Sequence, residues 1–470
     1  MSPNPLRNLP SVHELLENPA VRSLLDRINR TAAVSTVKTV LDEVRREVQT
    51  AAADWTLPSA GDLAERIARR ILEGEPSSLR PVINATGALL GNGLGRAPLA
   101  DEAIAEMAAV ARDYASVEWN LTTGQMSRRN AVVEGLLCEL TGAEAALTVG
   151  NNAGATMLAM AALAHDREVL VSRGQLIQIG GGYRLPEIIA AGGARLREIG
   201  TTNHTELDDY SRAIGPSSAA LMLIHTGNYA IVGSSASVTI EELVGLGRRH
   251  QLPVIHNLGA GTLIDLQPFG ITGQPMIGAS IKAGADLVLL SGDKLLGGPQ
   301  CGIILGRKVL IDQLEHHPMA RALRADKLAL AALAATLRLY KNPEKARIDI
   351  PLLRLLTTSI DNLKNRAERL VPQAAATAAI AQAEAITSVT HLDWGMPPTQ
   401  ELPTWCVALR PASMTAERLA TALRMGATPV VGRLEEDRLL LDLRSVFPRQ
   451  DMQLITALEA LTSAETIEQK

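Results

Sequence analysis

The sequence predicts an α/β protein with a parallel-rich central sheet, an N-terminal helical domain and a small C-terminal α/β domain. Three observations carry that prediction. Apolar runs at Ala146 to Val149, Val169 to Ser172, Ala220 to Ile224, Pro253 to Ile255 and Leu287 to Leu290 are separated by helix-length segments such as Ile240 to His250. That alternation marks a parallel sheet covered on both faces. Residues 1 to 76 show helical periodicity only, and beyond residue 345 strands (Cys406 to Leu409, Leu439 to Leu443) mix with helices (Ala416 to Leu423, Asp451 to Leu461).

Taken in order, the chain opens with Leu9-Pro10-Ser11, where Ser11 stands three residues before Glu14 as a capping box. Amphipathic spacing continues through Val37, Val40, Leu41, Val44 and Val48, then through Leu63, Ile67 and Ile71. Arg45, Arg46, Arg66, Arg69 and Arg70 lie along these helices, and Glu47, Asp62 and Glu65 offset them as on a solvated helix face. Glu75-Pro76-Ser77-Ser78 punctuates the chain. The predicted units are 1–76, helical; 77–345, large α/β; and 346–470, small α/β. Between and within them, Ala320 to Tyr340 and Arg354 to Leu370 read as helices, and the Ala-rich Ala374 to Ala385 is helix-compatible.

A chain of 470 residues with 46% hydrophobic content can bury large cores. No run approaches the roughly 20 apolar residues that span a bilayer, and Met1-Ser2-Pro3-Asn4-Pro5 lacks a signal-peptide pattern, so no membrane partner and a cytoplasmic location are expected. Cys138, Cys301 and Cys406 are widely separated, which indicates neither a disulfide framework nor a metal site. A net charge of -4 argues against a protein that coats DNA or RNA nonspecifically. With 2% aromatic residues, an RNA partner would be held mainly by shape and phosphates.

The chemistry concentrates at Ser291-Gly292-Asp293-Lys294-Leu295-Leu296-Gly297-Gly298-Pro299-Gln300, between two apolar runs. This places Lys294 on a turn at the end of a buried strand. A desolvated lysine there loses its preference for the ammonium form, and its neutral amine attacks carbonyls, pyridoxal phosphate (PLP) being the best-known partner. Ser291 is a donor for the cofactor phosphate. Val149-Gly150-Asn151-Asn152-Ala153-Gly154 leaves a strand and opens a helix, the setting of a phosphate cup, with Gly150, Asn151 and Asn152 as its candidates. Asn257, in His256-Asn257-Leu258-Gly259, stands where such sites usually carry an acid beside the pyridine nitrogen; it can hydrogen-bond that nitrogen without stabilising its proton. Arg96, and Arg321 with Arg324 three apart on one predicted helix face, form a candidate anion site, with salt-bridging as the structural alternative.

Together these residues, with Arg80-Pro81-Val82-Ile83-Asn84, Leu94-Gly95-Arg96, Thr141-Gly142-Ala143-Glu144, Gly200-Thr201-Thr202-Asn203 and His225-Thr226 with Asn228-Tyr229, make the chain resemble the bacterial selenocysteine synthases, the L-seryl-tRNA(Sec) selenium transferases. The resemblance implies a fold type I PLP enzyme, a homodecamer built from dimers, with the N-terminal domain gripping the tRNA. It implies Lys294 as the Schiff-base lysine and Asp293 as a catalytic acid. Arg96, Arg321 and Arg324 would bind selenophosphate or its phosphate. The sequence departs from the family pattern at Asn257 (usually Asp), at Gln175 (usually Glu), at Gly91-Asn92-Gly93, and at Gly124-Gln125-Met126-Ser127-Arg128-Arg129, where Arg128 or Arg129 would replace a missing arginine. Two other readings stay open: a related PLP lyase or aldolase acting on a small amino acid or phosphorylated sugar acid, and a tRNA-binding protein that keeps the fold without catalysis.

Overall fold

The computed structural model describes residues 9–25, 30–50, 57–73, 79–91, 93–179, 182–227, 229–392 and 401–468. Glu75-Pro76-Ser77-Ser78, Asn92 and Asn228 lie outside the described residues. A seven-stranded sheet runs in the order Ala145–Val149, Gly302–Gly306, Leu287–Ser291, Val254–Gly259, Ser218–Ile224, Glu168–Ser172, Arg195–Ile199. Gly302–Gly306 is antiparallel to both its neighbours, and the remaining pairings are parallel. Val288 and Leu290 enter one core with Ile303 and Leu305, whereas Leu287 and Leu289 enter the other with Ile304. This is the period of two that a doubly covered strand imposes.

A second sheet of five strands has the order Ile83–Ala85, Val430–Glu435, Arg438–Asp442, Leu402–Pro411, Ile380–Thr390. The strand Ile83–Ala85 thus belongs with the C-terminal sheet although it lies in the stretch assigned to the large unit. Conversely, helix Pro351–Thr357 buries Leu352, Leu353, Leu355 and Leu356 in the core of the large sheet although it lies beyond residue 345. We therefore place the dividing points near residues 86 and 358. At the N-terminus, helices Val12–Glu17, Arg30–Thr50 and Ala60–Glu73 share a core of their own, built on Leu15, Val37, Val40, Val44, Leu63 and Ile67. Ser11 accepts the Glu14 amide at 3.1 Å. Arg66 bridges Glu43 and Glu47 at 2.9 Å each, and Arg70 meets Glu43 at 2.5 Å, so these two arginines are tied across the helix pair.

Three helix predictions change. The stretch 320–340 breaks after Pro318–Leu323, and Lys327–Leu339 restarts because Asp326 accepts the amides of Leu328 and Ala329. The stretch 354–370 breaks at Thr358, and Ser359 caps the next helix, Ile360–Ala375. Ala374 to Ala385 is mostly not helical: Ile380–Thr390 is a strand whose pairing with Leu402–Pro411 outweighs alanine's helix preference.

Gly302 is a tight point of the large sheet, because a Cβ there would collide with the Asn151 carbonyl. Gly302→Ala is expected to destabilise the protein by about 1–3 kcal/mol, read as a lower thermal midpoint. Gly135→Ala, on the exposed face of helix Ala131–Thr141 with nothing near its added methyl, is expected to raise the midpoint slightly.

Candidate active site

The carboxyl ends of the parallel strands open on a cavity of about 250 Å³, the place where open α/β sheets bind ligands. Lys294 reaches it from the turn after the fully buried strand Leu287–Ser291. That turn is held closely. Leu295 and Leu296 are buried, the Tyr340 hydroxyl donates to the Leu296 carbonyl at 2.9 Å, and the Gly297 amide donates to the Lys294 carbonyl at 2.9 Å. Gly297 has φ +67°, and a Cβ on it would strike Ile350, so glycine is required for this return. Lys294 itself is half-buried.

Arg96 faces Lys294's neighbour from the other wall. Its Nη1 donates to Asp293 Oδ2 at 2.6 Å, and both residues line the cavity. Arg96 has φ +62°, a left-handed conformation that costs a non-glycine residue about 1–3 kcal/mol and tends to mark functional positions. Ser291, the last residue of its strand, is buried and also lines the cavity.

Opposite, helix Asn152–Leu163 points its N-terminus at the cavity, with Asn151, Asn152 and Ala153 in the wall. Asn151 Oδ1 caps the Gly154 amide at 2.8 Å. Asn152 Oδ1 is buried without a hydrogen-bond partner among the described residues, an opening for a ligand donor. Gly150 is committed elsewhere: its amide donates to the Leu323 carbonyl at 2.8 Å. Asn257 is buried, and its Oδ1 accepts from Asn152 Nδ2 and the Gly259 amide, each at 3.0 Å. Its Nδ2 donates to Thr156 Oγ1 at 3.2 Å, which leaves one amide hydrogen for a ligand.

Arg321 and Arg324 lie outside this cavity. The helix ends at Leu323, and Arg324 is extended, bridging to Val149, so the two arginines do not share a helix face. They still converge on Glu118, which Arg129 hydrogen-bonds at 2.9 Å and Arg324 meets at 3.4 Å. The Arg129 hydrogen bond first, then the charges of Arg129, Arg324 and Arg321, hold the Glu118 carboxyl below its ordinary range. Arg129 therefore joins the arginine group, whereas Arg128 is tied to Glu134 and Glu315.

A family model described as L-seryl-tRNA selenium transferase matches residues 82–447, and one described as selenocysteine synthase N terminal matches residues 6–45. The L-seryl-tRNA(Sec) selenium transferase of Moorella thermoacetica is 46% identical over 98% of this chain and 98% of its own, and that of Geobacter sulfurreducens 41% identical over 97% and 99%. The chain belongs to the L-seryl-tRNA(Sec) selenium transferase family. The solved structure of D-glucosaminate-6-phosphate ammonia-lyase, 20% identical, aligns with a TM-score of 0.59 over 83% of this chain and 99% of that one, and supports the fold type I assignment. The family is one of PLP-dependent transferases.

The cavity fits that cofactor. Backbone N–H groups of Asn151, Asn152 and Ala153 at the helix N-terminus and the Ser291 hydroxyl would hold its phosphate, Lys294 its carbonyl carbon, and the spare Asn257 amide hydrogen its ring nitrogen. Sequence reasoning missed Ile177, Tyr183 and His225 in the lining. His225 directly follows the strand Ser218–Ile224, and a strand-end position was its available signal. Ile177 precedes the first strand, and Tyr183 opens the second, of a ribbon with two residues per strand, Gln178–Ile179 with Tyr183–Arg184, too short to leave a signal. Among the described residues no His, Cys, Asp and Glu cluster could hold a metal, and no helix is long and apolar enough to cross a membrane. Burial pushes the Cys301 thiol beside this site up to about 12, so it is inert at neutral pH.

The Asn257 strand also buries His256, whose pKa falls to about 4 through burial first and the neighbouring His225 second. An unfolded histidine titrates near 6.5, so between about pH 6.5 and 4 the unfolded chain binds the extra proton. The stabilisation is fully present above that window and is lost as pH falls through it, by about 3 kcal/mol from this residue. Denaturant unfolding across pH 4 to 7 is expected to give a shallower slope for His256→Leu than for the parent.

Proposed function

We propose that this chain converts L-seryl-tRNA(Sec) to L-selenocysteinyl-tRNA(Sec) with selenophosphate, in the cytoplasm, as a homo-oligomer of the decameric kind. The observation that carries the reading is the convergence of Lys294, Asp293, Arg96, Ser291 and Asn257 on one cavity, in a chain 46% identical to a named transferase over 98% of its length. Bound there, PLP supplies an electron sink for the bonds at the serine α carbon. Lys294 would move the α proton, and Asp293 would handle the proton that leaves with the serine hydroxyl. Arg96, hydrogen-bonded to Asp293, links that proton step to the anion site.

Selenophosphate needs several positive charges, and Arg96 lines the cavity while Arg129, Arg321 and Arg324 gather at Glu118 outside it. Beside Glu118 lie exposed Trp119, Leu121 and Met126 of a small hairpin, with fully exposed Tyr114 nearby. Such a patch suits burial against a second subunit, which would carry the outer arginines toward that subunit's cavity. The helical bundle below residue 76 is assigned to tRNA binding on the strength of its own core and its family match.

The test is incorporation of labelled selenium from selenophosphate into seryl-tRNA(Sec). The parent is expected to transfer selenium and Lys294→Ala to lose at least about 10²-fold; no transfer by PLP-loaded parent with a competent tRNA would overturn the reading in favour of a small-molecule lyase or a noncatalytic tRNA binder. Asn257→Asp gives a separate check on the ring-nitrogen contact. A carboxylate there holds a ring proton, so the absorbance of the bound cofactor is expected to shift and abortive transamination to rise about tenfold.

A further inference from the structure

A second cavity, of about 350 Å³, lies against strand Val254–Gly259 and contains His256, where the lysine cavity contains Asn257. Successive residues of a strand point to opposite faces of the sheet. The two cavities nevertheless share Ile224 and His225, so a guest in the second is a close neighbour of a substrate in the first.

Its lining specifies the guest. His256 is 6% exposed, and its Nδ1 is buried with no hydrogen-bond partner among the described residues. Buried polar atoms are nearly always satisfied, so this one calls for a ligand group. Among the described residues no Lys, Arg, Asp or Glu lines the cavity, so none of them offers an oxyanion such as selenophosphate a counter-charge there. Gln175, Asn203 and hydroxyls offer hydrogen bonds instead. Tyr229, its hydroxyl bonded to the Gly174 carbonyl, and Ile231 add flat and apolar surface. His225 Nε2 faces the Gly273 carbonyl at 2.9 Å and so carries the hydrogen, which leaves its Nδ1 to accept from a hydroxyl. An uncharged, flat heterocycle with polar edges and an attached sugar meets all of these conditions, and the volume lies within the range of small-ligand sites.

Resting on the function proposed above, we propose that this cavity takes the 3′-terminal adenosine of seryl-tRNA, its base against His256 and Tyr229 and its ribose at His225, with the esterified serine directed to Lys294. The nucleoside next to the serine is adenosine in any tRNA, so the cavity reads the aminoacyl end and the N-terminal bundle is left to distinguish the tRNA body.

Two measurements test it. In selenium transfer, replacing the terminal adenosine of seryl-tRNA(Sec) by cytidine is expected to lower kcat/KM about tenfold or more for the parent. In Ser237→Trp, which fills the cavity from its exposed rim, the two tRNAs are expected to differ less than about twofold, while the absorbance of bound PLP is retained. By calorimetry, 3′-serylamido-3′-deoxyadenosine is expected to bind the parent and to weaken about tenfold in His256→Leu. A parent indifferent to the terminal base, or discrimination that survives Ser237→Trp, overturns the cavity assignment while selenium transfer stands. A parent that transfers no selenium yet binds the nucleoside through His256 overturns the activity and leaves the cavity assignment in place. Failure of both transfer and binding removes both.

Discussion

Gly302–Gly306, the one antiparallel strand of the large sheet, lies between the strand that leads to the helix N-terminus at Asn152 and the strand that leads to Lys294. A parallel neighbour would need a long crossover, whereas an antiparallel one is reached by a short return. The return here is the segment 292–301, closed by the Gly292 amide on the Cys301 carbonyl at 2.9 Å and the Gly298 amide on the Gly292 carbonyl at 2.9 Å. Lys294 therefore sits on a short, hydrogen-bonded loop with both ends in the same sheet, and Gly302, where the loop rejoins the sheet, packs directly against the Asn151 carbonyl of the opposite wall. Rigid elements rather than a mobile loop position the reactive amine, as a preorganised site requires.

Arg96 extends this arrangement to the second sheet. The chain leaves strand Ile83–Ala85, paired to Val430–Glu435, and within a dozen residues delivers Arg96 to Asp293. On the way, Gly87 packs so closely on Asp442 and Thr390 that a side chain there would collide with both. The left-handed Arg96 and the glycines at 93 and 95, also at positive φ, bend the chain back toward the lysine turn. Any shift of the small sheet relative to the large one is thereby felt at the Arg96–Asp293 pair.

The departures at Asn257 and Gln175 keep hydrogen bonds and discard charge. Gln175 Oε1 accepts the Ile224 amide at 2.9 Å, a task that needs an acceptor but no charge. Asn257 likewise organises Asn152, Thr156 and the Gly259 amide through a neutral carboxamide. The structural roles survive both changes. What changes is the field on each face of the strand: on one side a bound cofactor's ring nitrogen would meet an amide, and on the other no Asp or Glu among the described residues lines the cavity that holds His256. Burial then keeps His256 neutral, able to act as donor or acceptor according to its tautomer.

Much of this was legible in the sequence wherever the determining forces are local. The buried strands, the lysine after Leu287–Ser291 and the helix N-terminus after Ala145–Val149 follow from apolar runs and their punctuation. The strand at 83–85 was not legible as part of the C-terminal sheet, because its partner lies about 350 residues away and short runs carry no record of a distant pairing. The same reason hides the fate of the arginines. Spacing put Arg321 and Arg324 on one helix face, but the Val149 bridge pulls Arg324 out of the helix, and only the folded chain brings Arg129 to join them at Glu118. Three arginines around one half-buried carboxylate leave an excess of positive charge beside an apolar hairpin, and such a surface has no use for its apolar edge within a single chain. Covering that edge with another subunit would bury apolar area and at the same time carry positive charge toward a cavity to which, among the described residues, Arg96 and Lys294 supply the cations. On this reading, oligomer formation completes the anion site.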